Sequence, residues 1–197
     1  DVYKRQVLGY DAEGRLTASD VELTLIPYYA WAHRGSGNMM VWLPQEVSAT
    51  SPSMPATLAS ESRVDASHKT TALSAINDRL VPVDENDRSM AYYHWWPKKN
   101  STEWITYEFP KPSKVSSSTV YWFDDEPWGG CRVPQSWKLY YKDEQGGWTQ
   151  VSATGTYGTK KGVPNTVEFT PVQTTAMKLE VVLPKDNSAG VFEWEVE

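Results

Sequence analysis

Apolar residues in the second half of the chain recur in short runs separated by polar and turn-forming residues. The seven runs are 104–109, 115–123, 136–141, 148–151, 166–169, 177–183 and 191–196. Short strands bounded by turns at these intervals are typical of an antiparallel β-sandwich. The pattern therefore predicts an all-β domain.

Local signals around these runs agree with that prediction. The step Gln145-Gly146-Gly147 predicts a tight hairpin between two runs, because glycine reaches positive φ without a steric penalty. In no long stretch do apolar residues recur with the helical period of 3.6 residues. Residues 71–80 have room for one helical turn, which would end at Asn77-Asp78, a pair typical of chain turns.

The N-terminal part of the chain has a separate pattern. Two β-rich runs within residues 21–43 flank a turn-forming stretch, which predicts a hairpin that needs a neighbouring sheet for stability. Residues 45–60 hold one charge and are rich in Ser, Thr, Ala and Pro, a composition typical of linkers. We predict three parts: residues 1–44, of which 1–6 match no later pattern, a linker at 45–60, and the sandwich at 61–197.

Composition excludes several classes of function. The 197 residues include 19 Lys and Arg against 25 Asp and Glu, and this net charge of −6 argues against nucleic-acid binding. One cysteine excludes an intrachain disulfide and a cysteine-based zinc cluster, and the three histidines lack metal-ligand spacing. No apolar stretch is long enough to span a membrane as a helix.

Exposed aromatic residues are the first candidates for a binding site. Consecutive Trp95 and Trp96 would point to opposite faces of a strand, and the following Pro97 begins a loop, so at least one indole faces solvent or a partner. Trp128 lies in another loop. Such rings, beside hydrogen-bonding side chains, suit the stacking of a sugar ring, but they could equally seal the end of the sandwich or an interdomain contact.

The segment around Trp128 also contains three consecutive acids, Asp124, Asp125 and Glu126. Glycosidase carboxylates need a separation of about 5 to 10 Å and a raised pKa, which adjacent acids on a turn rarely provide. A charge-assisted contact between Asp124 or Asp125 and Arg132, which fixes the loop, is the favoured interpretation. Cys131 has no activating neighbour and is expected to be a small buried hydrophobe.

Oxygen-bearing side chains cluster at Asn77-Asp78 and at Asp84-Glu85-Asn86-Asp87. Calcium takes six to eight oxygen ligands, so these residues could hold it, although the spacing is not that of an EF-hand. Solvated acids on turns are the alternative.

The order of motifs along residues 61–197 is informative as a whole. The motifs are Ala75-Ile76-Asn77-Asp78, Trp104-Ile105-Thr106-Tyr107-Glu108-Phe109, Pro134-Gln135-Ser136-Trp137-Lys138-Leu139-Tyr140-Tyr141, Met177-Lys178-Leu179-Glu180-Val181 and Gly190-Val191-Phe192-Glu193-Trp194-Glu195-Val196. This order resembles the discoidin, or coagulation factor five/eight type C, family. The resemblance implies a β-sandwich jelly roll, and many bacterial members are family-32 carbohydrate-binding modules. This sequence departs from the family pattern at Lys178, where members of the family commonly have an arginine.

Residues 26–44, with Tyr28-Tyr29-Ala30-Trp31 and Met40-Val41-Trp42-Leu43-Pro44, are similar to the closing strands of the β-domain in family 127 glycoside hydrolases. That group resembles β-L-arabinofuranosidases. The resemblance implies that the chain is the tail of a larger bacterial enzyme, periplasmic or secreted, with its catalytic residues upstream.

The discoidin resemblance also implies a structural calcium ion between an early loop and the last strand. On that pattern the donors would be Asp78, Asn86 or Asp87, and Glu193.

Two functions follow from these observations. The first is a non-catalytic carbohydrate-binding module for arabinose-containing or related plant polysaccharides, with a loop-end site. Its expected residues are Trp95, Trp96, Trp128, Asp124, Asp125 and Arg132. The second is a structural domain that packs against the catalytic body without binding sugar. A free-standing hydrolase is disfavoured, since no catalytic constellation is visible.

Overall fold

The computed structural model describes residues 9–10, 16–17, 55–69 and 73–197. The chain divides into two compact units, Asp1–Pro55 and Ala56–Glu197. In the first unit, strands β1 (Gly9–Tyr10) and β2 (Leu16–Thr17) pair antiparallel. The hairpin expected within 21–43 lies outside the described residues.

The second unit is all-β, as the sequence predicts. It contains β3 (Arg63–Ala66), a 3-10 helix (Leu73–Asn77), β4 (Tyr93–His94), β5 (Thr102–Phe123), β6 (Ser136–Lys142), β7 (Trp148–Gln150), β8 (Asn165–Val182) and β9 (Gly190–Val196). Every pairing between these strands is antiparallel. Within the described residues, no helix is long and apolar enough to cross a membrane.

Two long strands each replace a pair of predicted short ones. The predicted runs 104–109 and 115–123 are the two halves of β5. The run 166–169 and all but the last residue of the run 177–183 fall within β8, which ends at Val182. The register between these strands shifts between Glu108 and Ser113. Pro110 and Pro112 lie in this interval, where the absence of their N–H groups leaves no ladder bond broken. The prolines therefore mark a change of register rather than the end of a strand.

The two halves of β5 take part in different layers. Its first half pairs with β3 and with the second half of β8, which continues the layer to β6 and β7. Its second half pairs with β9 and with the first half of β8, and β4 pairs with the far side of β9. A sandwich results from strands that pass from one layer to the other.

Aromatic contacts across the two layers form the centre of the core. The Tyr107 ring stacks on Trp194 with 4.1 Å between centroids, and Trp122 meets Trp137 edge to face at 5.7 Å. All four side chains are at most 2% exposed. Ten aromatic side chains of the second unit are buried, and each buried ring stabilises the core by removing a large apolar area from water.

The sandwich begins earlier than the composition indicates. Ala59 is fully buried in the core, and the Glu61 N–H donates to the Thr57 carbonyl oxygen at 3.1 Å. Residues 56–60 therefore belong to the folded unit, and the predicted linker at 45–60 extends too far. Small and hydroxyl-bearing residues are typical of linkers, but here the small side chain of Ala59 packs in the core, and Thr57 and Ser60 hydrogen-bond to each other in a turn.

The predicted hairpin joins β6 to β7. The carboxylate of Asp143 accepts from the Gly147 N–H at 2.8 Å, and Gly146 has a φ of 81°, where glycine carries no steric penalty. The single helical turn expected within 71–80 is the 3-10 helix, which ends at Asn77, whose side-chain amide donates to the Ala59 carbonyl oxygen at 2.7 Å.

Candidate functional site

Three loop segments meet at one end of the sandwich, which we call the loop end. They are residues 95–101 after β4, 124–135 after β5 and 183–189 before β9. The Ser188 N–H donates to the Gly130 carbonyl oxygen at 2.8 Å, the Arg132 N–H donates to that of Ser188 at 2.9 Å, and the Trp95 N–H donates to that of Ala189 at 3.0 Å. The segments are therefore tied to one another through their backbones.

Trp95 is a core residue, which corrects its expected role as a sugar platform. Its side chain is fully buried, packs edge to face on Tyr93 at 5.1 Å, and donates its indole N–H to Ser67 Oγ at 3.2 Å. As predicted, the side chains of Trp95 and Trp96 point in opposite directions, and it is Trp95 that points into the core. Only the second indole of the pair is available at the surface.

Trp96 and Trp128 are the exposed aromatic residues of the loop end. Trp96 is 44% exposed and Trp128 is 91% exposed. The Trp96 ring lies against Gly130, where an added Cβ would fall 2.2 Å from its Cζ3, and Lys99 Nζ stands 5.4 Å from the ring centroid. The absence of a side chain at Gly130 is what allows this ring to lie close to the backbone.

Glu103, a buried carboxylate on β5, fixes the segment that carries Trp96. It is 4% exposed and accepts hydrogen bonds from Ser67 Oγ at 2.6 Å, Lys98 Nζ at 2.7 Å and Ser101 Oγ at 2.8 Å. Lys98 and Ser101 lie on either side of Lys99, and the Ser67 hydroxyl also accepts from the indole N–H of Trp95, so the network anchors the segment on both sides of Trp96. The loop is therefore held in position before any ligand binds.

Asp124 is turned inward, which corrects its expected contact with sugar. It is 1% exposed and accepts from the backbone N–H groups of Glu126 at 3.0 Å and Val133 at 3.1 Å. Lys161 Nζ lies 3.0 Å from the same carboxylate. This residue closes the base of the loop instead of facing solvent.

Asp125 is also buried, at 8% exposure, so its expected contact with sugar is corrected too. Its Oδ1 accepts from the Cys131 N–H at 2.8 Å and lies 3.5 Å from Arg132 Nη1. The predicted pairing between an acid of this segment and Arg132 is therefore confirmed. Arg88 Nη2 lies 3.5 Å from the other oxygen, Oδ2, so that one carboxylate orients two guanidinium groups.

Arg88 and His94 were not assigned to the site from the sequence. The Arg88 side chain is 51% exposed, hydrogen-bonds to Tyr92 Oη at 2.6 Å, and lies 5.1 Å from the centroid of Phe123. His94 Nδ1 is buried and has no hydrogen-bond partner among the described residues. Burial lowers the pKa of His94, and neighbouring His68 acts in the same direction while Asp125 opposes it, so the imidazole is neutral at pH 7.

In the sequence, His94 is marked only by its position in an aromatic run, and no pattern assigns Arg88 to the site. Arg88 lies in a loop far from Asp125 along the chain, and its proximity to that carboxylate depends on the fold. Cys131 is 4% exposed, and burial, reinforced by Asp125, raises its pKa to about 12, in line with its expected role as a small buried hydrophobe.

Two of the four expected calcium donors lie together. Glu193 is fully buried, its Oε2 accepts from the Arg79 N–H at 3.0 Å, and its Oε1 has no hydrogen-bond partner among the described residues. Burial raises the pKa of Glu193 to about 9, and the neighbouring Asp78 carboxylate adds to the shift. A buried oxygen without a partner beside a second carboxylate fits an oxygen-preferring divalent cation.

The other two expected donors are engaged in their own loop. Asn86 Oδ1 accepts from Arg88 Nε at 2.6 Å, and the Asp87 carboxylate accepts from the Ser89 N–H at 2.9 Å. The Asp124 N–H donates to the Glu85 carbonyl oxygen at 2.8 Å, which ties this loop to the segment 124–135. Over the described ranges, no group of three or more His, Cys, Asp or Glu side chains is placed to hold a metal ion.

Comparisons with known proteins agree with the two-part organisation. Residues 5–44 match the glycoside hydrolase family 127 C-terminal domain, and residues 56–195 match the F5/8 type C domain. Both resemblances found in the sequence are thereby confirmed.

Solved structures share the fold of the second unit. A Streptococcus pneumoniae β-galactosidase, BgaA, matches with a TM-score of 0.58 at 17% identity over 68% of this chain and 89% of that one. The family 32 carbohydrate-binding module of Clostridium perfringens NanJ, in complex with galactose, matches with a TM-score of 0.53 at 19% identity over 71% and 95%. A chitosan-binding module of a Paenibacillus chitosanase/glucanase matches with a TM-score of 0.53 at 16% identity over 73% and 99%.

The F5/8 type C match covers more than half of the chain. The jelly-roll prediction is confirmed by the all-β antiparallel fold together with these structural neighbours. The chain belongs to the F5/8 type C domain family.

Proposed function

We propose that the second unit is a non-catalytic carbohydrate-binding module whose site is the loop end. The observation that carries the proposal is the pair of exposed indoles, Trp96 and Trp128, beside cationic side chains that are already oriented. The family 32 module of NanJ is in complex with galactose, and a second structural neighbour, the Clostridium perfringens module CpGH89CBM32-5, is in complex with GalNAc-β-1,3-galactose, which supports this class of ligand.

The geometry indicates how each residue would act. A sugar ring would stack its C–H face on Trp128 or Trp96, and its hydroxyl groups would hydrogen-bond to Arg88, Arg132 or neutral His94. Asp125 would act through the two arginines and make no contact with the sugar. Because an exposed indole covers only one face of a sugar ring, a single sugar unit would bury little area, and we expect weak binding.

Calorimetric titration of the chain with arabinose- and galactose-containing oligosaccharides tests the proposal. Saturable binding that is lost in Trp128→Ala and kept in Trp148→Ala is the expected result, because Trp148 is an exposed indole outside the loop end. Absence of binding across the panel, or equal loss in both variants, would count against the loop end as a sugar site.

The match of residues 5–44 supports a wider inference about the parent protein. We infer that the chain is the C-terminal part of a bacterial glycoside hydrolase, periplasmic or secreted, that acts on arabinose-containing plant polysaccharides. The catalytic residues would then lie upstream, and the sandwich would hold substrate near them. Any glycosidase turnover by this chain alone would contradict the non-catalytic assignment.

A structural role is the second candidate function. Trp128 at 91% exposure and Val83 at 83% are unusually exposed for apolar side chains, and such groups often pack against another domain. In that case the chain would self-associate in sedimentation experiments, and Trp128→Ala would lower the stability of the parent enzyme without changing its affinity for sugar.

We also propose that Asp78 and Glu193 hold a structural calcium ion, with backbone carbonyl groups completing the shell. The support is the buried Glu193 Oε1, which has no hydrogen-bond partner within the described part of the chain. Such an ion would supply the charge that offsets the buried Glu193 carboxylate and the partly buried Asp78 beside it, and it would have no part in sugar binding.

A further inference from the structure

One outer surface of the sandwich carries aromatic residues that the loop end does not use. We call it the sheet face and define it by the outward side chains of β6, β7, the first half of β5 and the second half of β8. Strand register places Glu180 between Trp104 and Lys138, Tyr140 beside Lys178, and Trp148 beside Lys142. Their chain neighbours Ile105, Leu139 and Leu179 are fully buried, so these residues point outward.

The three aromatic residues follow a diagonal across the strands. Trp104 and Tyr140 are two strands and two residues apart, which corresponds to about 12 Å given the spacing between strands and the rise per residue. On the same basis, Trp148 lies about 8 Å beyond Tyr140. Trp148 is 39% exposed, and Trp104 and Tyr140 are partly exposed. A row of indole and phenol rings on a solvent-facing sheet is long enough to contact several sugar units.

A polar network holds the middle of this row. Lys178 Nζ lies 4.3 Å from the Tyr140 ring centroid and 5.6 Å from that of Trp148, and it donates to Glu180 Oε2 at 3.0 Å. Tyr140 Oη donates to Glu180 Oε1 at 3.1 Å. Because these contacts hold the side chains in place, a ligand would lose little entropy in ordering them.

The lysine side chains along this row favour an acidic ligand. Lys138, Lys142 and Lys178 face outward around the row, with Glu180 as the carboxylate among them. Farther across the face, Arg63 pairs with Glu108 at 3.5 Å and Lys69 with Asp65 at 3.3 Å.

The β6–β7 turn carries two acids, Asp143 and Glu144, beyond the Trp148 end of the row. The Asp143 carboxylate is engaged by the Thr149 hydroxyl at 2.8 Å and by backbone N–H groups of the turn, and Glu144 is exposed at the tip. Along the row itself, three lysines accompany one carboxylate, that of Glu180, and Lys138 lies at the end away from the turn acids.

From this arrangement we propose that the sheet face is a second carbohydrate-binding surface, for an extended acidic polysaccharide whose rings stack on Trp148, Tyr140 and Trp104 and whose carboxylates pair with Lys138 and Lys142. The proposal is independent of the loop end, because the two sites share no residue. A polymer could therefore occupy one site when the other is disabled.

The test is titration of the whole chain with polygalacturonate and with its methyl-esterified, uncharged form at low salt. We expect polygalacturonate to bind at least fivefold more tightly than the ester and to weaken as salt rises. Trp148→Ala and the double variant K138Q/K142Q should each weaken binding at least fivefold, whereas Trp128→Ala should leave it unchanged. The double lysine variant is expected to fold normally, because it alters only outward side chains. Thermal melting of each variant checks that it is folded.

Three results would overturn the proposal. They are no saturable binding of polygalacturonate, equal affinity for the charged and esterified forms, and loss of binding in Trp128→Ala with none in Trp148→Ala. The last result would assign the acidic polymer to the loop end and would leave the proposed function intact. If the chain binds polygalacturonate through the sheet face but binds no neutral oligosaccharide at the loop end, the proposed function fails and the sheet-face proposal stands.

Discussion

The indole of Trp96 lies against the backbone of Gly130, so closely that a Cβ at residue 130 would fall 2.2 Å from Cζ3 of the ring. The two residues belong to different loop segments, 95–101 and 124–135. Their contact fixes the angle at which one exposed ring of the loop end meets solvent, and it makes the site sensitive to a single methyl group.

Gly130→Ala tests this contact. We expect the displaced Trp96 ring to lower sugar affinity about fivefold, since misplacing one stacking ring removes a contact worth about 1 kcal/mol. Gly155→Ala is the matched control, because an added Cβ there meets nothing within 4 Å. Calorimetric titration of both variants checks the prediction, and equal affinities would contradict it.

Asp125→Ala tests the carboxylate beneath the site. It would leave the Cys131 N–H and Arg132 without their shared acceptor, and we expect a loss of about 3 kcal/mol in the free energy of unfolding. Asp186→Ala changes an exposed aspartate of the neighbouring loop, and it should shift stability by less than about 0.5 kcal/mol. Urea denaturation measures both values, and similar losses would show that Asp125 has no special role.

Calcium binding at Asp78 and Glu193 predicts a stability difference. Calcium at a hundredfold excess over its Kd should add about 2.7 kcal/mol to the free energy of unfolding, because it binds only the folded state. Thermal melting in calcium and in a chelator measures the effect, and Glu193→Gln should abolish it. An unchanged midpoint of the unaltered chain would exclude a structural ion.

Cys131 gives a prediction about pH. Burial raises its pKa from 9.0 to about 12, so the neutral thiol is favoured in the folded state. Its contribution to stability is fully present below pH 9 and is lost as the pH rises through about 12. Alkylation by iodoacetamide at pH 8 should therefore be at least a hundredfold slower in the folded chain than in urea. Comparable rates would mean that the thiol is exposed.

Alternation of apolar and polar residues was enough to predict the sandwich, because inward and outward side chains differ along every strand. The continuity of β5 was not predictable in this way. Proline usually ends a strand, and only the observed register shows that Pro110 and Pro112 fall where pairing with β8 is interrupted. Likewise, the alternation separates Trp95 from Trp96 but does not say which one is buried.

The candidate site was less predictable than the fold. Asp125 and Arg132 are seven residues apart, within one loop, so their pairing could be inferred from the sequence. Arg88 reaches the same carboxylate from a distant loop, and the inward direction of Asp124 depends on backbone donors that no side-chain pattern reveals. Long-range contacts therefore decided which of the candidate residues face solvent.

The most direct test of the carbohydrate-binding assignment is an NMR titration that observes the ten tryptophan indole N–H signals as galactose- or arabinose-containing oligosaccharide is added. We expect saturable shifts of the Trp96 and Trp128 signals, assigned with Phe variants, and no change for buried Trp95, Trp122, Trp137 and Trp194. Unchanged Trp96 and Trp128 signals with every sugar would contradict it.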